Sequence, residues 1–182
     1  ATNSNDILKR VLNTGIYKPL KVTHTVSPSM DIQVASNFER LVFDVCSQDS
    51  SKTLKLMNDL NIRGEFKLAK EELRKIKESF CSESLSEEEI KSVIKETYKN
   101  QKMLIDPHTA VAIGAVNKIK LKENTIILAT AHPSKFSDVV MKETGIKPEL
   151  PENLKNILVK EEKYKKVSKD LKKIQNYILT KI

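Results

Sequence analysis

Thr130 and His132 stand two positions apart at the end of the apolar run 125–130 (TIILAT), with Pro133 next. A strand, a tight loop and a helix in that order form the geometry in which α/β enzymes present catalytic residues. A hydroxyl at position 130 can also simply cap the strand end, and His132 taken alone reads as structural. A second imidazole lies in Asp106-Pro107-His108-Thr109. Proline suits the first turn of a helix and aspartate its cap, so His108 is either a helix-end hydrogen-bonding residue or a pocket residue. Ser27, Ser29 and Asp31 make a polar turn, where backbone N–H groups and hydroxyls can meet an anion. Arg40 carries a fork that can receive a carboxylate or phosphate, and it can equally pair with Glu39 or Asp44 on a helix surface. His24 has no motif partner. Asn3, Asn5 and Asp6 precede an apolar-periodic run and read as helix caps.

The chain that must position these groups has 182 residues and is 39% hydrophobic, ordinary for a globular protein. It has only 4 glycines and none are clustered, so no phosphate-cradling loop is legible. The net charge of +8 comes from lysines interspersed with glutamates, without interleaved aromatics or a nucleic-acid motif. It is expected to be a solvated surface with no specific nucleic-acid partner. Cys46 and Cys81 show neither metal-ligand nor disulfide-framework spacing. Both are expected to be reduced and at least half-buried, and no metal site is expected. No apolar run approaches the roughly 20 residues that span a bilayer, so no membrane contact is expected and the cytoplasm is the default.

Apolar spacing predicts helices over 5–14, 35–47, 52–61, 69–80, 86–99 and 134–144, and from about 161 to the end. Ser86 and Glu89 form a capping box for the fifth of these. A further helix starts at Pro107, and its small residues Ala110, Ala112, Gly114 and Ala115 suit close packing. Alternation predicts a strand over 20–26, and the continuous apolar run predicts a strand buried on both faces over 125–130. The opening Ala1-Thr2-Asn3 lacks methionine and places capping residues at the very start, so the chain reads as part of a longer one.

Four stretches carry a family resemblance: ATNSNDIL (1–8), SPSMDIQVASNFERL (27–41), DPHTAVAIGA (106–115) and ATAHPSKFSDVV (129–140). In this order they resemble the C-terminal part of threonine synthases of the longer bacterial and fungal type. The likeness is thin over 48–103 and in the terminal helix. It implies an α/β fold of the fold-type-II class of pyridoxal-phosphate (PLP) enzymes, like the tryptophan synthase β-subunit. In that fold 1–47 would be part of the large PLP-binding domain and 48–103 a helical insertion. Residues 104–145 would return to the PLP domain by strand and helix, and 146–182 would form a tail and C-terminal helix. The implied activity is conversion of O-phospho-L-homoserine and water to L-threonine and phosphate. A phospholyase that makes no threonine, or a non-catalytic module, are the alternatives.

The resemblance also distributes roles. The Schiff-base lysine and the cofactor's phosphate loop are expected upstream of Ala1, in the remainder of the enzyme chain, because no Ser-Phe-Lys-Asp-type motif is present. Lys135 lies in the wrong place and order to be that lysine. Thr130 is expected to hydrogen-bond the pyridine nitrogen, tuning the cofactor as electron sink, and His132 to shape the cofactor pocket. Ser27, Ser29, Asp31 and Arg40 are expected near the substrate.

Overall fold

The computed structural model describes residues 1–120 and 124–182, so 121–123, inside the predicted 104–145 segment, lie outside the described residues. Two compact units divide at Glu149 and Leu150.

The first unit is mainly helical. Helices α1 (Ile7–Thr14), α2 (Phe38–Val45), α3 (Ser50–Arg63) and α4 (Lys70–Ser79) surround a short antiparallel ladder of β1 (Ile16–Tyr17) and β2 (Phe66–Lys67). Their core follows from the apolar spacing. Ile7 and Val11 of α1, Val42 of α2, Tyr17, Phe66 and Ile76 of α4 are all buried together. Tyr17 stacks between Phe38 and Phe66, with ring centroids 5.4 and 4.8 Å away. Its hydroxyl accepts the Ala35 N–H at 2.7 Å. Asp49 caps α3 by accepting from the Ser51 and Lys52 N–H groups, and Gly64 in the left-handed conformation closes its other end, so the helix runs two residues beyond its apolar pattern at each end.

A second core joins α5 (Glu87–Gln101), α6 (Pro107–Ile119) and α7 (Ser137–Thr144). The capping box forms as expected, with Ser86 N–H donating to Glu89 at 2.8 Å and Ser86 Oγ accepting from Glu89 N at 3.3 Å. The hydrogen bond from Lys118 and that from Ser86 hold the Glu89 carboxyl below its ordinary pKa. Gly114 lies at the α5–α6 crossing. A methyl group there would come within 2.2 Å of Leu85 Cδ2, so the small-residue face of α6 permits the close approach.

The chain start is pinned between these cores. Thr2 forms a parallel bridge with Ser84, donating to Glu83 O and accepting from Leu85 N, both at 3.0 Å. Lys9 pairs with Glu83, and that hydrogen bond lowers the Glu83 carboxyl pKa.

Neither predicted strand forms in the described residues. Segment 20–26 is irregular and has no ladder. Its backbone is satisfied by side chains instead. Leu20 N–H donates to Gln33, Thr25 N–H to Asp31 and Val26 N–H to Glu87. The Asn5 amide binds Thr23 in both directions, accepting its N–H at 2.9 Å and donating to its carbonyl at 2.8 Å. One side chain thus takes the place of a neighbouring strand's peptide. The run 125–130, expected to be buried on both faces, is irregular, with Ile126 89% and Leu128 74% exposed. An apolar run becomes a buried strand only when other strands hydrogen-bond its edges, and the one ladder among the described residues lies elsewhere.

The second unit is an irregular stretch with α8 (Leu171–Leu179). The terminal helix begins ten residues later than predicted, where Asp170 accepts from Lys173 N at 2.9 Å. Tyr164 and Val167 bury no face that could support an earlier turn, and an unsupported short helix is marginal in water.

Cys46 is buried, whereas Cys81 is exposed, against expectation. Position 81 follows the end of α4 in an irregular connection, where helical spacing no longer turns a residue inward. Burial, reinforced by the Glu72 carboxylate that accepts from its thiol, pushes Cys46 up to about 11. Only the thiolate reacts, so at pH 8 an elevation of this size cuts reactive Cys46 about a hundredfold relative to an ordinary thiol near 9. In the native protein Cys46 is therefore expected to resist iodoacetamide at pH 8 and to label rapidly in urea. Equal rates in both states would show that the thiol is not protected.

Candidate functional site

The polar turn after segment 20–26 is built on a buried amide network. Asn3 and Asn5 are fully buried. Asn3 Nδ2 lies 2.8 Å from Asp31 Oδ1, 2.9 Å from Ser27 Oγ and 2.8 Å from Thr25 Oγ1. Asn3 Oδ1 accepts the Asn5 N–H at 2.8 Å. Asp31 Oδ1 also accepts from Asn5 and from the Thr25 hydroxyl, at 3.1 and 2.6 Å. The Asp31 carboxylate is thus spent on holding the turn, and Ser27 lies buried beneath it. This corrects the reading of Asn3, Asn5 and Asp6 as helix caps. Asp6 occupies the N-cap position of α1 but makes no side-chain cap, and pairs instead with Arg10. The Asn-x-Asn spacing was visible, but it resembles local capping, and its partners lie some twenty or more residues away.

A cleft of about 570 Å³ opens beside this turn. Ser29 and His108 line it, together with Thr130, and Ala112, Ala115, Val116 and Leu128 form an apolar wall. His108 is held by Asp106, the N-cap of α6. Asp106 Oδ1 accepts from His108 N and lies 2.9 Å from His108 Nδ1, while the Thr109 hydroxyl binds Oδ2. His108 Nε2 accepts the Ser29 N–H at 3.3 Å.

The other two expected residues lie elsewhere. His132 is exposed and does not line the cleft. It caps the 3₁₀ turn Pro133–Phe136, with Nδ1 2.7 Å from Ser134 Oγ and accepting from Ser134 N. Arg40 is exposed on α2, in a separate concavity of about 890 Å³ shared with Glu39, Asp44 and Ser50. It pairs with neither acid among the described residues. Lys135 is also exposed, 5.9 Å from the centroid of the Phe136 ring. Among the described residues there is no group of three or more His, Cys, Asp or Glu that could hold a metal, and no helix long and apolar enough to cross a membrane.

The family model for "Threonine synthase, C-terminal" matches residues 109–178. The threonine synthase of Pseudomonas aeruginosa is 33% identical over 181 residues, covering 98% of this chain and 39% of that protein. A human protein named threonine synthase-like 1 is 33% identical over 150 residues, covering 81% of this chain and 20% of its own length. The crystal structure of a PLP-bound threonine synthase from Brucella melitensis superposes with a TM-score of 0.86 at 35% identity, covering 98% of this chain and 39% of that one. The chain therefore spans about two-fifths of the length of the threonine synthases it matches. In sequence and in fold alike, it corresponds to the C-terminal part of the threonine synthases.

Proposed function

We propose that this chain, joined to the remainder of its enzyme, serves the PLP-dependent conversion of O-phospho-L-homoserine and water to L-threonine and phosphate, a biosynthetic step expected in the cytoplasm. One observation carries the reading: residues from all four family-like stretches, Ala1, Ser29, His108 and Thr130, line one cleft. On this reading 1–47 and 104–145 belong to the PLP-binding domain, 48–103 is a helical insertion and 146–182 a tail.

The residues present fit one end of the cofactor. A flat ring suits the apolar wall, and the Thr130 hydroxyl suits a ring nitrogen. No lysine or arginine among the described residues lines the cleft, and on this reading the phosphate and the covalent attachment fall to the remainder of the enzyme. When bound, PLP supplies an electron sink for bond changes at the substrate's carbons. Thr130 would hold the ring nitrogen through a hydroxyl, which unlike a carboxylate does not favour a protonated ring. Ser29 presents a polar turn at the cleft edge, held from below by Asp31 and Ser27. The apolar wall keeps water from one side of the cleft, which strengthens polar contacts made there.

The same cleft residues fit a second reading, a phospholyase that releases phosphate without making threonine, and one relative is named only threonine synthase-like 1. One assay separates the two. Purified full-length enzyme given O-phospho-L-homoserine should release phosphate and L-threonine in equal amounts. Phosphate without threonine favours the phospholyase, and release of neither overturns both.

A further inference from the structure

His108 touches two separate turns. Its Nε2 accepts the Ser29 N–H, and its ring lies 4.8 Å from that of Phe136, tilted by 57°. An amide N–H can only donate, so Nε2 must carry the lone pair and the ring proton must sit on Nδ1. From there it donates to Asp106 Oδ1 at 2.9 Å. Asp106 is 1% exposed and His108 7%, so this arrangement is shielded from water.

An aspartate–histidine pair facing a cleft invites an acid–base role. The geometry points the other way, because the nitrogen that would take a proton already has an N–H directed at it from the turn. We propose that His108, oriented by Asp106, is a positioning residue. It clamps the Ser29 turn against the Pro133–Phe136 turn and so fixes the edge of the cleft that receives the substrate's anionic group. The link to substrate rests on the function proposed above, whereas the clamp itself does not.

The test uses the full-length enzyme and two substitutions. In His108→Gln the side-chain amide oxygen can take the place of Nε2 as acceptor for Ser29, but it cannot act as a general base. In His108→Ala nothing replaces it. Losing one hydrogen bond of ordinary strength should speed hydrogen exchange of the Ser29 amide by about tenfold in the Ala variant. KM for O-phospho-L-homoserine should rise by a similar factor, with a smaller change in kcat. The Gln variant should return exchange and both kinetic constants to within about threefold of wild type, since most of the interaction is restored. Unchanged Ser29 exchange in the Ala variant overturns the clamp. Restored exchange in the Gln variant with kcat still down about a hundredfold overturns the positioning role in favour of acid–base chemistry. If the Ala variant does not fold, the Gln variant decides by the same two readings. If the wild-type enzyme does not turn over the substrate, the proposed function fails, and Ser29 exchange still settles the clamp.

Discussion

Thr130→Val in the full-length enzyme is expected to lower kcat about ten- to hundredfold, to weaken PLP retention and to shift the cofactor's absorption spectrum, with the fold intact. Valine keeps the shape and branching of threonine and removes only the hydroxyl. Leaving a buried polar partner without its hydrogen bond costs about 1–3 kcal/mol, and each 1.36 kcal/mol expressed in the transition state is about tenfold in rate. The fold should survive because Thr130 is exposed in an irregular segment and contributes to neither hydrophobic core. Thr130→Ser keeps the hydroxyl and should keep most of the activity. Wild-type kcat and an unchanged spectrum in the Val variant would make Thr130 a bystander at the cleft edge.

The second large effect concerns stability. Asn3→Asp is expected to destabilise the enzyme by about 3 kcal/mol, the upper range for orphaning buried polar groups. At a helix N-cap, asparagine and aspartate are interchangeable, so a capping role predicts almost no change. In the observed network Asn3 Nδ2 donates to Asp31 Oδ1 at 2.8 Å. A carboxylate there would confront the Asp31 carboxylate and withdraw the amide donor from both Asp31 and Ser27. Protonating one of the two relieves the repulsion, so the deficit should shrink as pH falls into the carboxylate range. Urea midpoints for both proteins at neutral and acidic pH check this. Equal midpoints at neutral pH would return Asn3 to a local capping role.

The parts of this molecule governed by nearby residues were legible in the sequence. Ile7 and Val11, Ile90 and Ile94, and the Asp106-Pro107 start of α6 all rest on contacts within a turn or two, and their helices lie close to where periodicity put them. What failed depended on partners far along the chain. The alternation in 20–26 is real, yet its hydrogen bonds go to Asn5, Gln33, Asp31 and Glu87, which period-two reasoning does not consult. Ile126 and Leu128 read as buried because their composition suits a central strand, but composition cannot supply the neighbouring strands. In the site the same division holds. Motif order put Thr130 and His132 at the cofactor and Ser27, Ser29, Asp31 and Arg40 near the substrate; of these Ser29 and Thr130 line the cleft, where His108, read as either a helix-end or a pocket residue, joins them. The network beneath Ser29 was missed because side-chain amides joining distant segments leave no periodic trace.

The bridge between Thr2 and Ser84 has a consequence for how the protein is made. A ribosome adds roughly 5–20 residues per second, so Thr2 waits about 4–16 s for a partner about eighty residues behind it. During that interval α1 to α4 can assemble around Tyr17, since their contacts all lie on the earlier side of the bridge. The emerging 83–85 segment then closes the loop, and α5 and α6 condense on the far side. Order of synthesis thus allows the first core to form before the second, with the parallel bridge of Thr2 and Ser84 closing the loop between them.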